Sequence, residues 1–130
     1  MTKLVLEEET YKVIGACIKV HKNLGNGFNE AIYQEALEKE LKQAEIPFER
    51  KKKISIYYDG EKLENYFTSD FLCYGKIILE IKAVDFLDDN MRLQVIKYLK
   101  STNVEVGLLI NFGEKNLKWK RLINTTSIAI

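Results

Sequence analysis

Residues 78–84, Ile78-Leu79-Glu80-Ile81-Lys82-Ala83-Val84, read as a buried β-strand with two charges set into it. Burying an unpaired charge costs on the order of several kcal/mol, so such residues are paired, bound to a metal or left in water. Side chains alternate across a strand, which puts Glu80 and Lys82 on one face and Leu79, Ile81 and Ala83 on the other. Either this strand has one wet face, or the two charges belong to a site.

The preceding strand bears on that choice. Tyr66 to Cys73 reads as a strand, Tyr74-Gly75-Lys76 as a turn, and Ile77 to Val84 as the returning strand. Pairing symmetrically about Gly75 sets Asp70 opposite Glu80, with Cβ atoms roughly 5 Å apart; a one-residue slip would separate them. Two opposed carboxylates repel each other, and a hard divalent cation with oxygen ligands relieves the repulsion. Magnesium held in this way polarises a phosphodiester and lowers the pKa of bound water. Lys82 beside it would stabilise charge developing on the phosphate. The competing reading is an Asp70–Lys82–Glu80 ion-pair cluster on a solvent-facing sheet.

Outward from this hairpin, the single proline, Pro47, divides the chain. Before it the sequence reads helical. Apolar residues recur at Tyr11, Ile14, Cys17, Ile18 and Leu24 across a helix from Glu7 to about Leu24. The segment 24–27, Leu-Gly-Asn-Gly, supplies a turn, and a second helix from about Asn29 to Ala44 carries Ile32, Tyr33, Leu37 and Leu41. After Pro47, residues 54–58 lead into Asp59-Gly60, a strong hairpin signal. Asp88 or Asp89 caps a helix to about Lys100 with Leu93, Ile96 and Leu99 inward. Val104 to Phe112 is the most strand-like run, and Trp119 to Ile123 adds a last strand. The order ααβββαββ predicts an α/β fold in one domain over residues 1–130: an N-terminal helix hairpin, then βββαβ(β) around a mixed central sheet.

Composition excludes several classes of function. No apolar run approaches the ~20 residues of a membrane span, and the opening residues lack a secretory signal, so a cytoplasmic protein is expected. Cys17 and Cys73 with a lone histidine argue against a zinc cluster. A net charge of +1 gives no global pull toward polyanions. Local basic runs, residues 50–53 and 115–121, permit a polyanionic partner without demanding one.

Asp70 followed by Glu80-Ile81-Lys82 resembles the D…(E/D)-x-K signature of the PD-(D/E)-x-K nuclease superfamily, the restriction-endonuclease-like fold. Gln94-Val-Ile-Lys-Tyr98 is similar to the Q-x-x-x-Y motif of its lambda-exonuclease and RecB-type branch. Gly27-Phe-Asn-Glu30-Ala-Ile-Tyr33 matches the G-x-x-E-x-x-Y pattern of a family of small bacterial proteins in that superfamily. Val20-His21-Lys22, residues 24–27 and Leu108 to Phe112 extend the likeness over about residues 10–123. One position departs: Ser69 stands where the superfamily's name has proline.

The resemblance implies a nuclease hydrolysing phosphodiester bonds with Mg2+ or Mn2+. Glu30, Asp70, Glu80 and the backbone carbonyl of Ile81 would be the metal ligands, and Lys82 the catalytic lysine. Gln94 and Tyr98, one helical turn apart, would orient lysine, water or phosphate, with Tyr33 lining the same cleft and His21 a possible proton carrier. Each has a plainer reading: Glu30 as an acid favoured in a first helical turn, Tyr33 and Tyr98 as core residues with a bonded hydroxyl, Gln94 as a polar residue on an exposed helix face, His21 as a structural histidine. DNA is the expected substrate ahead of RNA, with exonuclease and endonuclease action both open. The alternatives are a catalytically silent nucleic-acid-binding or protein-interaction module on the same fold, or an RNase. A homo-oligomer or protein partner would help so small a domain enclose nucleic acid.

Overall fold

The computed structural model describes residues 5–124. Helices α1 (Glu7–Leu24) and α2 (Glu30–Gln43) form the expected hairpin, followed by β1 (Phe48–Tyr58), β2 (Glu61–Cys73), β3 (Ile77–Lys82), α3 (Asp89–Thr102), β4 (Val106–Asn111) and β5 (Lys118–Ile123). The strands form one sheet in the order β1-β2-β3-β4-β5. Only β3 and β4 are parallel, joined by the α3 crossover; the other neighbours are antiparallel. This mixed sheet with a helical layer is consistent with a restriction-endonuclease-like core. No helix among the described residues is long and apolar enough to cross a membrane.

Local chemistry accounts for the boundaries. Asn29 caps α2 by accepting from the Ile32 N–H, and Asp88 caps α3 by accepting from the Met91 N–H. Asp59 and Gly60 both take positive φ, as a two-residue hairpin turn requires. The β1–β2 hairpin is longer than the sequence pattern indicates: β1 takes in the basic run from Arg50 and β2 starts at Glu61. Cross-strand pairing holds these polar ends extended although they lack apolar alternation.

One core lies on each side of the sheet. The helix hairpin packs Val13, Cys17, Tyr33, Leu37 and Leu41 against Phe71, Leu79, Ile81 and Ile110. On the other side α3 packs Val95 and Leu99 on Phe67, Ile78 and Leu109. The expected helical stripes hold at Cys17, Tyr33, Leu37, Leu41 and Leu99, all buried, and shift at their margins. Tyr11 is 78% exposed, and Ile32 and Leu93 also face solvent, while Val13, Val20, Gln34 and Val95 point inward. Tyr11, Ile32 and Leu93 fit the 3.6-residue period, but the tertiary contact fixes which part of a broad apolar arc is covered.

Candidate functional site

The site forms where β2 parts from β3. The pairs Phe71↔Leu79, Leu72↔Ile78 and Cys73↔Ile77 follow the expected register about Gly75, and there the ladder ends. At the next position side chains replace the backbone partners. The Asp70 N–H donates to Glu80 Oε2 at 3.0 Å, and the Ile81 N–H donates to Asp70 Oδ2 at 2.8 Å. This exchange uses one oxygen of each carboxylate and leaves the other available to a ligand.

A dislocation on the far side of β2 makes the parting possible. Between the pairs Arg50↔Phe71 and Lys52↔Ser69, Lys51 and Asp70 have no pairing partner, and Lys51 has φ 53°. Apolar faces exchange across this point. Phe71 packs with Phe48 on the helix-hairpin side, whereas Phe67, an even four residues away, packs with Ile54 on the α3 side. An irregularity in both strands at once flips each face while preserving register. Ser69, at the position that departs from the superfamily's name, is fully buried and donates its hydroxyl to the Phe71 carbonyl at 2.6 Å, bridging over Asp70.

Ile81 itself is buried. The N–H and C=O of a strand residue point to the same side. Because the Ile81 N–H faces Asp70, its carbonyl also faces the notch where β2 pairing has stopped.

The electrostatics are those of two acids confined together. Burial raises the Glu80 pKa to about 8, helped by repulsion from Asp70 and Glu30; the Asp70 N–H and Lys82 pull the other way. Burial also raises Asp70, against the Ile81 hydrogen bond and the positive charges of Lys82, Lys51 and Arg50. Among the described residues no ion pair at contact distance includes Asp70, Glu80 or Lys82. These groups are set in a notch, and they do not form a mutually satisfied salt-bridge cluster.

On the α3 side, Tyr98 stacks on Phe67 with ring centroids 3.6 Å apart. Its hydroxyl pKa is raised by burial and by the charges of Glu80 and Asp70, with the Gln94 side chain as a hydrogen-bonding partner that opposes the rise. Tyr98 is thus within electrostatic reach of both acids, while Gln94, exposed on α3, is tied to it through its side chain. Glu30 reaches Glu80 electrostatically from the start of α2, yet no three His, Cys, Asp or Glu side chains among the described residues converge tightly enough to enclose an ion. The two strand carboxylates fit a hard cation by charge and donor type; the third carboxylate stands further off.

Two expected site residues are placed as structural ones. Tyr33 is fully buried; its hydroxyl donates to the Gly25 carbonyl at 2.5 Å and accepts from the Phe28 N–H, and its ring stacks on Phe112 at 4.7 Å. It ties down the loop of the helix hairpin and does not line a cleft. His21 is buried with Nε2 2.9 Å from the Glu114 carbonyl oxygen, so its polar edge is engaged in joining α1 to the segment after β4.

Sequence reading passed over Asn111 as a site-forming residue. It is fully buried. Its Oδ1 accepts from the Val84 and Gly113 N–H groups at 3.0 Å each, and its Nδ2 donates to the Val84 carbonyl at 3.0 Å and to Glu114 Oε2 at 2.9 Å. Together with the Phe112 N–H, which donates to the Lys82 carbonyl at 2.8 Å, this clamp fixes the chain just beyond Lys82. The available signal was an asparagine in an otherwise apolar strand.

A family model of the PD-(D/E)XK nuclease superfamily matches residues 7–122, from the first turn of α1 into β5. No curated protein and no solved structure matches the chain significantly. Members of this superfamily generally hydrolyse phosphodiester bonds in nucleic acids and typically use divalent metal ions. The matched span contains the two-acid notch, its lysine and both helical layers, and the chain belongs to the PD-(D/E)XK nuclease superfamily.

Proposed function

We propose that the protein is a divalent-metal-dependent nuclease acting on DNA, of the G-x-x-E-x-x-Y branch and with the Q-x-x-x-Y element on α3. The observation that carries this reading is the reciprocal exchange between Asp70 and Glu80 at the parting of β2 and β3. It holds two partly desolvated acids together at a cost that a structural sheet has no reason to bear.

Asp70, Glu80 and the Ile81 carbonyl would hold Mg2+ or Mn2+, with Glu30 completing the charge from α2. Bound there, the ion would supply Lewis acidity toward the phosphate and toward water. The chain's own residues do the rest. Lys82, on the same strand face as Glu80, neutralises charge gathering on the phosphate oxygens. Gln94 and Tyr98 orient phosphate or water from the α3 side, and the Phe67 stack fixes the tyrosine ring in place. Tyr33 and His21 contribute by fixing the helix hairpin on which Glu30 stands. A cytoplasmic location fits such a role.

The test is cleavage of labelled linear and circular DNA and of RNA with Mg2+ or Mn2+, for wild type, Lys82→Ala and Asp70→Asn. Metal-requiring DNA cleavage lost in both variants supports the proposal, and the circular substrate separates endonuclease from exonuclease action. Cleavage of RNA alone assigns a different substrate. Calorimetric metal binding that Asp70→Asn abolishes, without cleavage of either substrate, overturns the catalytic reading and leaves a silent binding module.

A further inference from the structure

The dislocation at Lys51 and Asp70 exposes a surface that the catalytic proposal does not use. Beyond it, Ile54, Ile56 and Phe67 turn toward α3. The pairs Lys53↔Thr68 and Ser55↔Tyr66 therefore face away, on the side of the sheet from which Glu30 approaches. This outer face bears aromatic and cationic groups. Tyr66 is 50% exposed and Tyr57 52%, and Lys53 Nζ lies 5.0 Å from the Tyr66 ring centroid. A hollow of about 330 Å³ opens between Lys53, Ser55, Lys62 and Tyr66, with Glu64 its one acid.

Charge along β1 is unevenly satisfied. Arg50 is paired with Glu38 at 2.9 Å and Lys52 with Glu49 at 2.8 Å. Among the described residues, Lys51 and Lys53 have no carboxylate at ion-pair distance, and both are exposed. Lys51 contributes to the field at Asp70, so the cationic track begins at the notch and continues outward to Lys53 and the tyrosines. Past the positive-φ residue Lys51, alternate residues of β1 from Lys53 to Ser55 repeat every ~6.8 Å, a step comparable with that between phosphates of an extended single strand.

We infer that the outer face of the β1–β2 hairpin binds single-stranded nucleic acid, with a base on Tyr66 and its backbone on Lys53 and Lys51, and leads the strand into the Asp70–Glu80 notch. The inference rests on the nuclease reading and specifies the form of its substrate. A half-exposed tyrosine ring offers stacking to an unpaired base, whose π-face is free; in a duplex that face is occupied by the neighbouring base pairs. Stacking beside a backbone-tracking lysine is tolerant of sequence.

The experiment measures binding of a fluorescein-labelled 20-nucleotide oligothymidylate, and of a blunt duplex of equal length, to the full chain in EDTA over a series of salt concentrations. The same proteins are then assayed for cleavage with Mg2+ or Mn2+. Wild type is expected to prefer the single strand. Tyr66→Ala should weaken single-strand binding about tenfold while leaving duplex binding within about twofold. Lys53→Ala should lower the slope of log affinity against log salt by about 0.7. Unchanged urea-unfolding midpoints establish that both variants are folded. Cleavage and single-strand binding that persist unaltered in both variants overturn the hairpin assignment and leave the nuclease reading intact. Wild type that neither binds nor cuts any nucleic acid overturns both.

Discussion

Replacing Asn111 tests whether the notch is held together from behind. The side chain makes four hydrogen bonds at 2.9–3.0 Å, three of them to the backbone of Val84 and Gly113. At about 1 kcal/mol net for each bond, Asn111→Leu forfeits about 4 kcal/mol. Water reaching the half-buried Val84 and Gly113 and the added apolar burial return about 1 kcal/mol, so a loss of about 3 kcal/mol is expected. Asn111→Asp preserves the two accepted bonds but turns oxygen toward the Val84 carbonyl and Glu114 Oε2, which the amide nitrogen now contacts. It should cost at least as much as the leucine, despite its nearly identical shape. Glu114→Gln, which can still present an oxygen to Nδ2, should cost less than 1 kcal/mol. Urea unfolding at neutral pH provides these values from shifts in midpoint at constant slope. If clamp and catalysis are linked, folded Asn111→Asp also loses cleavage rate more than affinity, because Lys82 lies two residues before the clamped Val84. A loss below 1 kcal/mol in both Asn111 variants would refute the clamp.

Three further outcomes follow from the same geometry. Burial pushes the Glu80 carboxyl up to about 8 in the folded chain from an ordinary 4.5, so between these values the native state binds more protons than the unfolded one. Metal-free stability should therefore fall by a few kcal/mol as pH rises from about 4.5 to about 8, and Glu80→Gln should flatten the slope in pH-dependent unfolding; a wild-type slope equal to the variant's would contradict this. Gly113→Ala should destabilise by more than 2 kcal/mol in urea unfolding, since its Cβ would lie 2.2 Å from the Val84 carbonyl oxygen and 2.4 Å from its nitrogen. Tyr33→Phe removes the bonds to Gly25 and Phe28, with an expected loss of about 1–2 kcal/mol and little change in the cleavage rate of the folded enzyme.

The sequence alone determined the order ααβββαββ, because caps, turn residues and apolar runs act over a few residues. Asp59-Gly60, Asp88 and the symmetric turn at Gly75 are of this kind. It also determined that Asp70 and Glu80 meet, since a hairpin register depends only on its turn and on the alternation of its strands. Tertiary structure decided what that meeting becomes. The pause in pairing at Lys51, the exchange of apolar faces between Phe67 and Phe71 and the resulting notch arise because two helical layers compete for opposite faces of one hairpin. No local pattern encodes that competition. Packing likewise turned Tyr11 and Leu93 outward and placed Tyr33 and His21 in the framework. It also made Asn111 a clamp, because its four bonds link β4 to the exit of β3, 27 residues earlier in the chain at Val84. Local chemistry specifies each strand and the meeting of the two acids; only closure of the chain upon itself opens the notch between β2 and β3 in which they and the Ile81 carbonyl lie.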